Sequence, residues 1–207
     1  MPSINTCNVD FFENFESSNN NNAAGWTVFN SIYSGGPEEV IFTKFLGPFA
    51  QLTDTPTRNF APIAHNNGKV RVEFNFYQLD SWDGNAAASF GPDQFKVEVN
   101  DMYMVNLGFF SSVFGTNEMD DGITPAGIKW NHTFIDAAVI AGFNNVASEQ
   151  RHFVWMDLPT SVLVGNSLKL RFIADLSLDA SNESAGIDNL KITSCPADQS
   201  FPTVIPT

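Results

Sequence analysis

The chain has 207 residues, of which 43% are hydrophobic and 20 are phenylalanine. This is enough apolar side chain for one packed core, and all-β sandwiches commonly reach this length as a single domain. Ten Lys and Arg residues against 23 Asp and Glu give a formal net charge of −13, which repels phosphate backbones and anionic membranes and so excludes nucleic acid as a partner. The acidic excess suits binding of divalent cations or an extracellular location, although solubility alone explains it equally well.

The elements predicted in chain order are almost all strands. The polar stretch SSNNNNAAG at 17–25 predicts a loop. In KVRVEFNFYQL, residues 69–79, apolar and polar residues alternate, which indicates a half-buried strand. Further strands are predicted at 26–33, 39–46, 95–99, 103–110, 128–135, 151–157, 168–172 and 186–193.

Only residues 135–150 are compatible with a short helix. Many strands and almost no helix predict an all-β fold, a two-sheet antiparallel β-sandwich. We assign residues 1–195 to this domain. Prolines at 196, 202 and 206 predict that 196–207 is an extended C-terminal tail.

Two cysteines, Cys7 and Cys195, lie near opposite ends of the chain. Their spacing excludes a CxxC redox or zinc motif, and the even count permits one disulfide. Such a bridge requires an oxidising compartment. The N-glycosylation sequons at Asn131 and Asn182 agree with this, so we expect a secreted or extracellular surface protein.

The chain begins MPSINTC, without the apolar segment of a signal peptide, so we expect any such peptide to be missing from this sequence. No apolar stretch approaches the roughly 20 residues that span a bilayer, and membrane insertion is not expected.

Catalytic motifs are not evident. The three histidines have no spacing typical of a catalytic base or a metal pair, and no nucleophile elbow, phosphate loop or HExxH sequence occurs. A glycosidase needs two carboxylates roughly 5 to 9 Å apart, but each of the best strands carries one acid on its polar face. The sequence therefore predicts that the protein is not an enzyme, with a polysaccharide hydrolase or lyase as the residual alternative.

Residue parity favours a metal site. Alternation places Asp188 on the same face as Leu190 and Ile192, and Glu13 in register with its phenylalanine neighbours. A buried carboxylate without a partner is costly, and a cation is one remedy. If the first and last strands are neighbours, Glu13 and Asp188 meet and form a hard-oxygen site suited to Ca²⁺. The alternative is that one or both acids lie at a strand end in water.

The segments VEFNFYQLDSWDG, DQFKVEVND and AGIDNLKIT, preceded by FFENF, GW and FLGPF, resemble a family of extracellular jelly-roll domains with concanavalin-like sandwiches. More distantly, the chain is similar to MAM-type domains. The resemblance covers roughly residues 8–194 and implies a structural calcium between Glu13 and Asp188. It also implies a second, loop-borne site at Asp80, Asp83 and Asp93, although NAAASFGP lengthens the loop before Asp93.

Three functions are compatible with these features. The first is a non-catalytic, calcium-stabilised, glycosylated subunit that self-assembles into an extracellular filament or matrix through its tail, using Phe201, Val204 and Ile205. The tail can equally fold back onto its own domain.

The second is a carbohydrate-binding, lectin-like adhesion module that stacks sugars on Trp82, Trp130 and Tyr77. The alternative for Trp82 is that it caps the edge of the core. The third is the polysaccharide hydrolase or lyase. The sequence favours the structural subunit.

Overall fold

The computed structural model describes residues 6–17, 23–33, 42–50, 52–63, 68–85, 92–111, 118–119, 121–138, 149–177 and 181–202. Within these ranges the chain forms thirteen strands and one 3₁₀ turn at Thr160–Val162. The strands are β1 (Asn8–Glu13), β2 (Ile32–Tyr33), β3 (Phe45–Phe49), β4 (Thr57–Phe60), β5 (Lys69–Asp80), β6 (Gln94–Val99), β7 (Tyr103–Phe109), β8 (Glu118–Met119), β9 (Gly122–Ile123), β10 (Lys129–Ala138), β11 (Glu149–Pro159), β12 (Leu168–Asp175) and β13 (Glu183–Cys195).

The strands form two antiparallel sheets that pack face to face. One has eight strands in the order β2-β3-β13-β5-β11-β10-β9, with β1 also paired to β13; the other has five, in the order β4-β12-β6-β7-β8. Between them lies one large apolar core with side chains from both sheets. The predicted all-β, two-sheet antiparallel sandwich is confirmed.

Strand β5 forms the centre of the larger sheet, between β13 and β11. The alternation read from its sequence is confirmed on the inner face, where Val70, Val72, Phe74 and Phe76 are fully buried. Phe76 stacks on Phe95 of the opposite sheet with ring centroids 4.1 Å apart. Contacts of this kind bury large apolar areas and hold the sheets together.

The outer face of the larger sheet carries a second, smaller apolar cluster. It contains Phe42, Phe45, Tyr77 and Leu79, so the second half of β5 is buried on both faces. Alternation alone does not predict this, because the covering residues come from a distant segment of the chain.

Three sequence-based assignments of secondary structure differ from the structure. For the range 39–46 the strand is β3, which begins only at Phe45, and residues 39–41 lie outside the described residues. In the range 26–33 only Ile32–Tyr33 forms a strand, with an isolated bridge at Thr27. In the range 135–150, the one stretch compatible with a short helix, residues 135–138 and 149–150 belong to β10 and β11, and the remainder lies outside the described residues.

The two ends of the chain are joined as predicted. Cys7 and Cys195 form a disulfide across a sequence separation of 188 residues. After Cys195 the chain turns back onto its own domain, and the ring of Phe201 lies 4.4 Å from the guanidinium carbon of Arg71. The same guanidinium lies 4.6 Å from the ring of Trp155. Val204 and Ile205 lie outside the described residues, so assembly through the tail stays a prediction.

Among the described residues there is no helix of the length and apolar character needed to cross a membrane.

Candidate metal centre

Three carboxylates converge at one end of the sandwich. Asp83 lies in the turn after β5, Asp93 immediately precedes β6, and Glu183 begins β13. One carboxylate oxygen from each lies within 4.8 Å of the other two. Asp93 and Glu183 are fully buried, and Asp83 is partly buried.

The turn that carries Asp83 is held in place by Trp82. Strand β5 ends at Asp80, whose φ of 70° redirects the chain. The Trp82 side chain then turns into the core, where its ring lies 5.6 Å from that of Phe76 and 5.8 Å from that of Phe110. Its indole N–H donates to the carbonyl of Ser184 at 2.9 Å. Because a buried indole anchors this turn, the position of the following Asp83 is fixed.

Asp93 is bound to the same turn by hydrogen bonds. The backbone N–H of Asp83 donates to one carboxylate oxygen of Asp93, and the N–H of Ser177 donates to the other at 3.2 Å. The Asp93 N–H donates to the carbonyl of Gly84 at 3.1 Å. Burial raises the pKa of Asp93 above its usual value, and the nearby charge of Asp83 raises it further, while the hydrogen bonds act in the opposite direction.

Glu183 completes the cluster and was not predicted as a ligand. It pairs in register with Asp80 across β13 and β5, and the Ser177 hydroxyl lies 3.5 Å from its carboxylate. In the sequence it appears only as the middle residue of the Asn182 sequon. Strand pairing is the information that identifies Glu183 as a candidate ligand. When β13, which contains the IDN sequence, is placed beside β5, Glu183 lies opposite Asp80, the first aspartate of the DSWDG turn.

The cluster suits a hard divalent cation. All its donors are carboxylate oxygens, the class that Ca²⁺ prefers, and histidine or cysteine ligands that favour zinc or copper are not among the three. Six ion pairs are formed by described residues, and none includes Asp83 or Asp93. Of the predicted trio Asp80, Asp83 and Asp93, the structure thus brings Asp83 and Asp93 together. Glu183 is the third member of the cluster in place of Asp80.

The other predicted pair, Glu13 and Asp188, has two separate sets of partners. Glu13 accepts a hydrogen bond from the N–H of Phe15 at 3.1 Å. Asp188 accepts from the Tyr77 hydroxyl at 2.9 Å, from the Asn189 N–H at 2.7 Å and from the Asn189 amide at 3.0 Å. Burial raises the pKa of Asp188 to about 7. The hydrogen bonds from Tyr77 and Asn189 act in the opposite direction and lower this pKa, but burial has the larger effect. A cation shared with Glu13 stays a prediction.

Asp188 lies on the opposite face of the sheet from the one that alternation predicted, so that prediction was wrong. Asp188 pairs with Asn75 and Ile192 with Val72, so the two side chains lie on opposite faces of the sheet. The cause is a register shift between Asp188 and Lys191, at which Asn189 adopts a φ of 51°. A bulge adds one residue and reverses the alternation. Asp188 is buried nevertheless, beneath the outer cluster around Tyr77.

The aromatic residues predicted to stack on sugars differ in exposure. Trp82 and Tyr77 are fully buried, so in this conformation neither presents a ring face to a ligand in solution, and Trp82 is a core residue. Trp130 lines an open cleft beside β7.

Of the two sequons, Asn131 is partly buried on β10 and Asn182 is partly buried immediately before β13. The Asn182 carbonyl accepts from the Ser81 N–H at 3.0 Å, and Ser184 of this sequon is fully buried.

Comparison with protein-family models, with curated proteins and with solved structures found no match to this chain. The case for the candidate metal centre comes from its own geometry.

Proposed function

We propose that the protein is a non-catalytic structural subunit that acts outside the cell and is stabilised by Ca²⁺ at Asp83, Asp93 and Glu183. The observation that supports this most is the approach of three carboxylates to within 4.8 Å of one another, two of them fully buried. The secreted location, glycosylation and self-assembly belong to the same proposal.

Electrostatics supports a bound cation. Like-charged carboxylates at this distance repel one another, and burial removes the water that would screen them. Either protons or a cation must compensate. The hydrogen bonds to both oxygens of Asp93 come from backbone N–H groups, which lower its pKa and oppose the larger effect of burial, and a bound cation would favour the ionised form further. Ionised oxygens in a pre-formed cluster suit Ca²⁺, which accepts six to eight oxygen ligands in flexible geometry.

The position of the cluster explains what the cation would do. Asp93 leads into β6 of the five-stranded sheet, whereas Glu183 begins β13 of the eight-stranded sheet. Asp83 belongs to the turn that follows β5. A cation on these three oxygens joins the two sheets at the end of the sandwich, and such a cross-link raises the free energy of unfolding by linkage.

The disulfide supports the extracellular part of the proposal. Cys7–Cys195 closes almost the whole chain into one loop, and bridges of this kind persist in oxidising compartments. The acidic charge and the two sequons agree with that location.

Thermal unfolding with and without calcium tests the proposal. At a calcium concentration 100 times the dissociation constant, linkage predicts about 2.7 kcal/mol of added stability over the chelated protein. Glu183→Gln preserves the shape of the side chain and should abolish most of this increment. Asp101→Asn is the matched control, since it removes the same charge from an exposed, surface-paired carboxylate. An identical melting curve in calcium and in chelator would refute calcium stabilisation.

A further inference from the structure

An open cleft of about 670 Å³ is lined by residues of both sheets. One wall is β7 of the five-stranded sheet, and the other is β9, the turn that follows it and β10 of the eight-stranded sheet. The side chains that line it include Met104, Asn106, Phe109, Ile123, Thr124 and Trp130. Its volume is in the range of small-molecule sites.

The Trp130 ring occupies space that its neighbour Gly122 leaves open. The two residues pair across β10 and β9, and a Cβ built on Gly122 would lie 2.6 Å from Cζ2 of the indole. Only glycine leaves room for the ring at this place. Trp130 also packs against the main core. The indole is therefore a rigid part of the cleft, and a rigid aromatic surface loses little conformational entropy when a ligand stacks on it.

The described residues that line the cleft are neutral and amphipathic. No described residue that lines it is charged, although 16% of the chain is. Ile123 and Met104 are 59% and 45% exposed and provide apolar surface. The described lining residues therefore offer a charged ligand no ion pair. Such a ligand would experience only the general field of the acidic protein.

Two polar groups in the cleft retain hydrogen-bond donors. The Thr124 hydroxyl accepts from the Ile128 N–H at 3.1 Å, which leaves its own hydrogen to donate. The Asn106 amide donates one hydrogen to Gln94 at 3.1 Å, and an amide has two. A ligand with many neutral oxygen acceptors and an apolar ring face matches this combination.

We propose that this cleft is a binding site for a neutral oligosaccharide, stacked on Trp130 and hydrogen-bonded by Asn106 and Thr124. The site is distinct from the Asn131 sequon, whose side chain lies on the opposite face of β10 because it pairs with Trp155 whereas Trp130 pairs with Met156. A glycan attached at Asn131 would leave the cleft open. The inference does not depend on calcium at the candidate metal centre.

The test is an NMR titration of the ¹⁵N-labelled full chain with neutral hexasaccharides of glucose, mannose, xylose and galactose. We expect at least one to shift the Trp130 indole N–H resonance in a saturable way, in calcium and in chelator. Trp130→Ala, followed through the backbone N–H resonances of Asn106 and Thr124, and Ile123→Ser should each weaken that binding at least tenfold. Leu52→Ser is the matched control, because Leu52 is 66% exposed outside the cleft, and it should leave affinity unchanged.

The comparison ligands are an oligogalacturonate, which is anionic, and a Leu- and Val-rich hexapeptide. The proposal is overturned if no neutral hexasaccharide shifts Trp130 at 10 mM, if either comparison ligand binds more tightly than every neutral sugar, or if Leu52→Ser weakens binding as much as Ile123→Ser. Sugar binding that occurs in calcium but not in chelator would also contradict the proposal, because it would indicate that the sugar binds at the metal centre.

Discussion

The indole N–H of Trp82 donates a hydrogen bond of 2.9 Å to the carbonyl of Ser184. This bond ties the turn that carries Asp83 to the strand that begins with Glu183. The tryptophan of the DSWDG sequence therefore belongs to the core, and its connection to the candidate metal centre is structural: it fixes the separation of two proposed ligands.

Trp82→Phe should weaken both folding and calcium binding. The variant keeps an aromatic ring but loses the indole donor and leaves the Ser184 carbonyl without this partner, at a cost of about 1 to 3 kcal/mol. Denaturant unfolding in chelator measures this loss. Calorimetric titration should also show weaker calcium binding than in the parent protein. Unchanged calcium affinity in a destabilised Trp82→Phe protein would show that the turn does not position Asp83.

Asp188 predicts a fall in stability between about pH 4 and pH 7. Its pKa is raised to about 7 by burial, so the folded protein keeps this proton at pH values where the unfolded chain has lost it. The stabilisation is complete below the unfolded pKa of about 4 and is lost as pH rises to about 7, by roughly 4 kcal/mol in total.

Asp188→Asn imitates the protonated carboxyl and removes this fall, so the stability of the variant relative to the parent protein should increase between about pH 4 and pH 7. Free energies of unfolding at several pH values in chelator provide the measurement, with Asp101→Asn as the exposed control. A profile for Asp188→Asn that is parallel to that of the parent protein would be the contrary result.

His152 predicts the opposite slope over an overlapping range, about pH 3 to 6.5, so the contributions of Asp188 and His152 partly cancel in the parent protein. It is fully buried among Phe76, Phe110 and Phe134, and among the described residues neither ring nitrogen has a hydrogen-bond partner. Burial, with a smaller contribution from His132, lowers its pKa to about 3. Stability is therefore complete above about pH 6.5 and is lost as pH falls to about 3, by roughly 5 kcal/mol.

Substituting His152 by Phe keeps a ring in the aromatic surroundings and removes the proton. The variant should resist acid better than the parent protein between pH 6.5 and 3, and it should be at least as stable at pH 8, since no hydrogen bond to a described residue is lost. Circular dichroism during acid titration measures both. Earlier acid unfolding of the variant would contradict this account of His152.

The disulfide predicts a large entropic contribution to stability. Closing a loop of 188 residues is worth roughly 5 kcal/mol in the chain-entropy model. The double variant Cys7→Ala with Cys195→Ala should lose about that amount in urea unfolding, and reduction of the parent protein should give the same value. A loss below about 1 kcal/mol in both experiments would show that the unfolded chain is compact without the bridge.

Local patterns predicted the sandwich but only part of the candidate site. Strict alternation from Val70 to Phe76 identified the central strand because one face of β5 meets the apolar core over these residues. The same reasoning failed at Asp188, since a bulge reverses alternation without leaving a periodic signal. Glu183 was missed for another reason: its proximity to Asp83 and Asp93 comes from pairing between β13 and β5, which neighbouring residues in the sequence do not encode.

The most direct test of the central claim is a crystal structure of the full chain grown in calcium. The account predicts a cation 2.3 to 2.6 Å from at least one oxygen each of Asp83, Asp93 and Glu183, the distances typical of Ca²⁺. The corresponding crystals of Glu183→Gln should lack that ion. A structure in excess calcium with water or a proton-sharing carboxyl pair between these three residues would contradict the account.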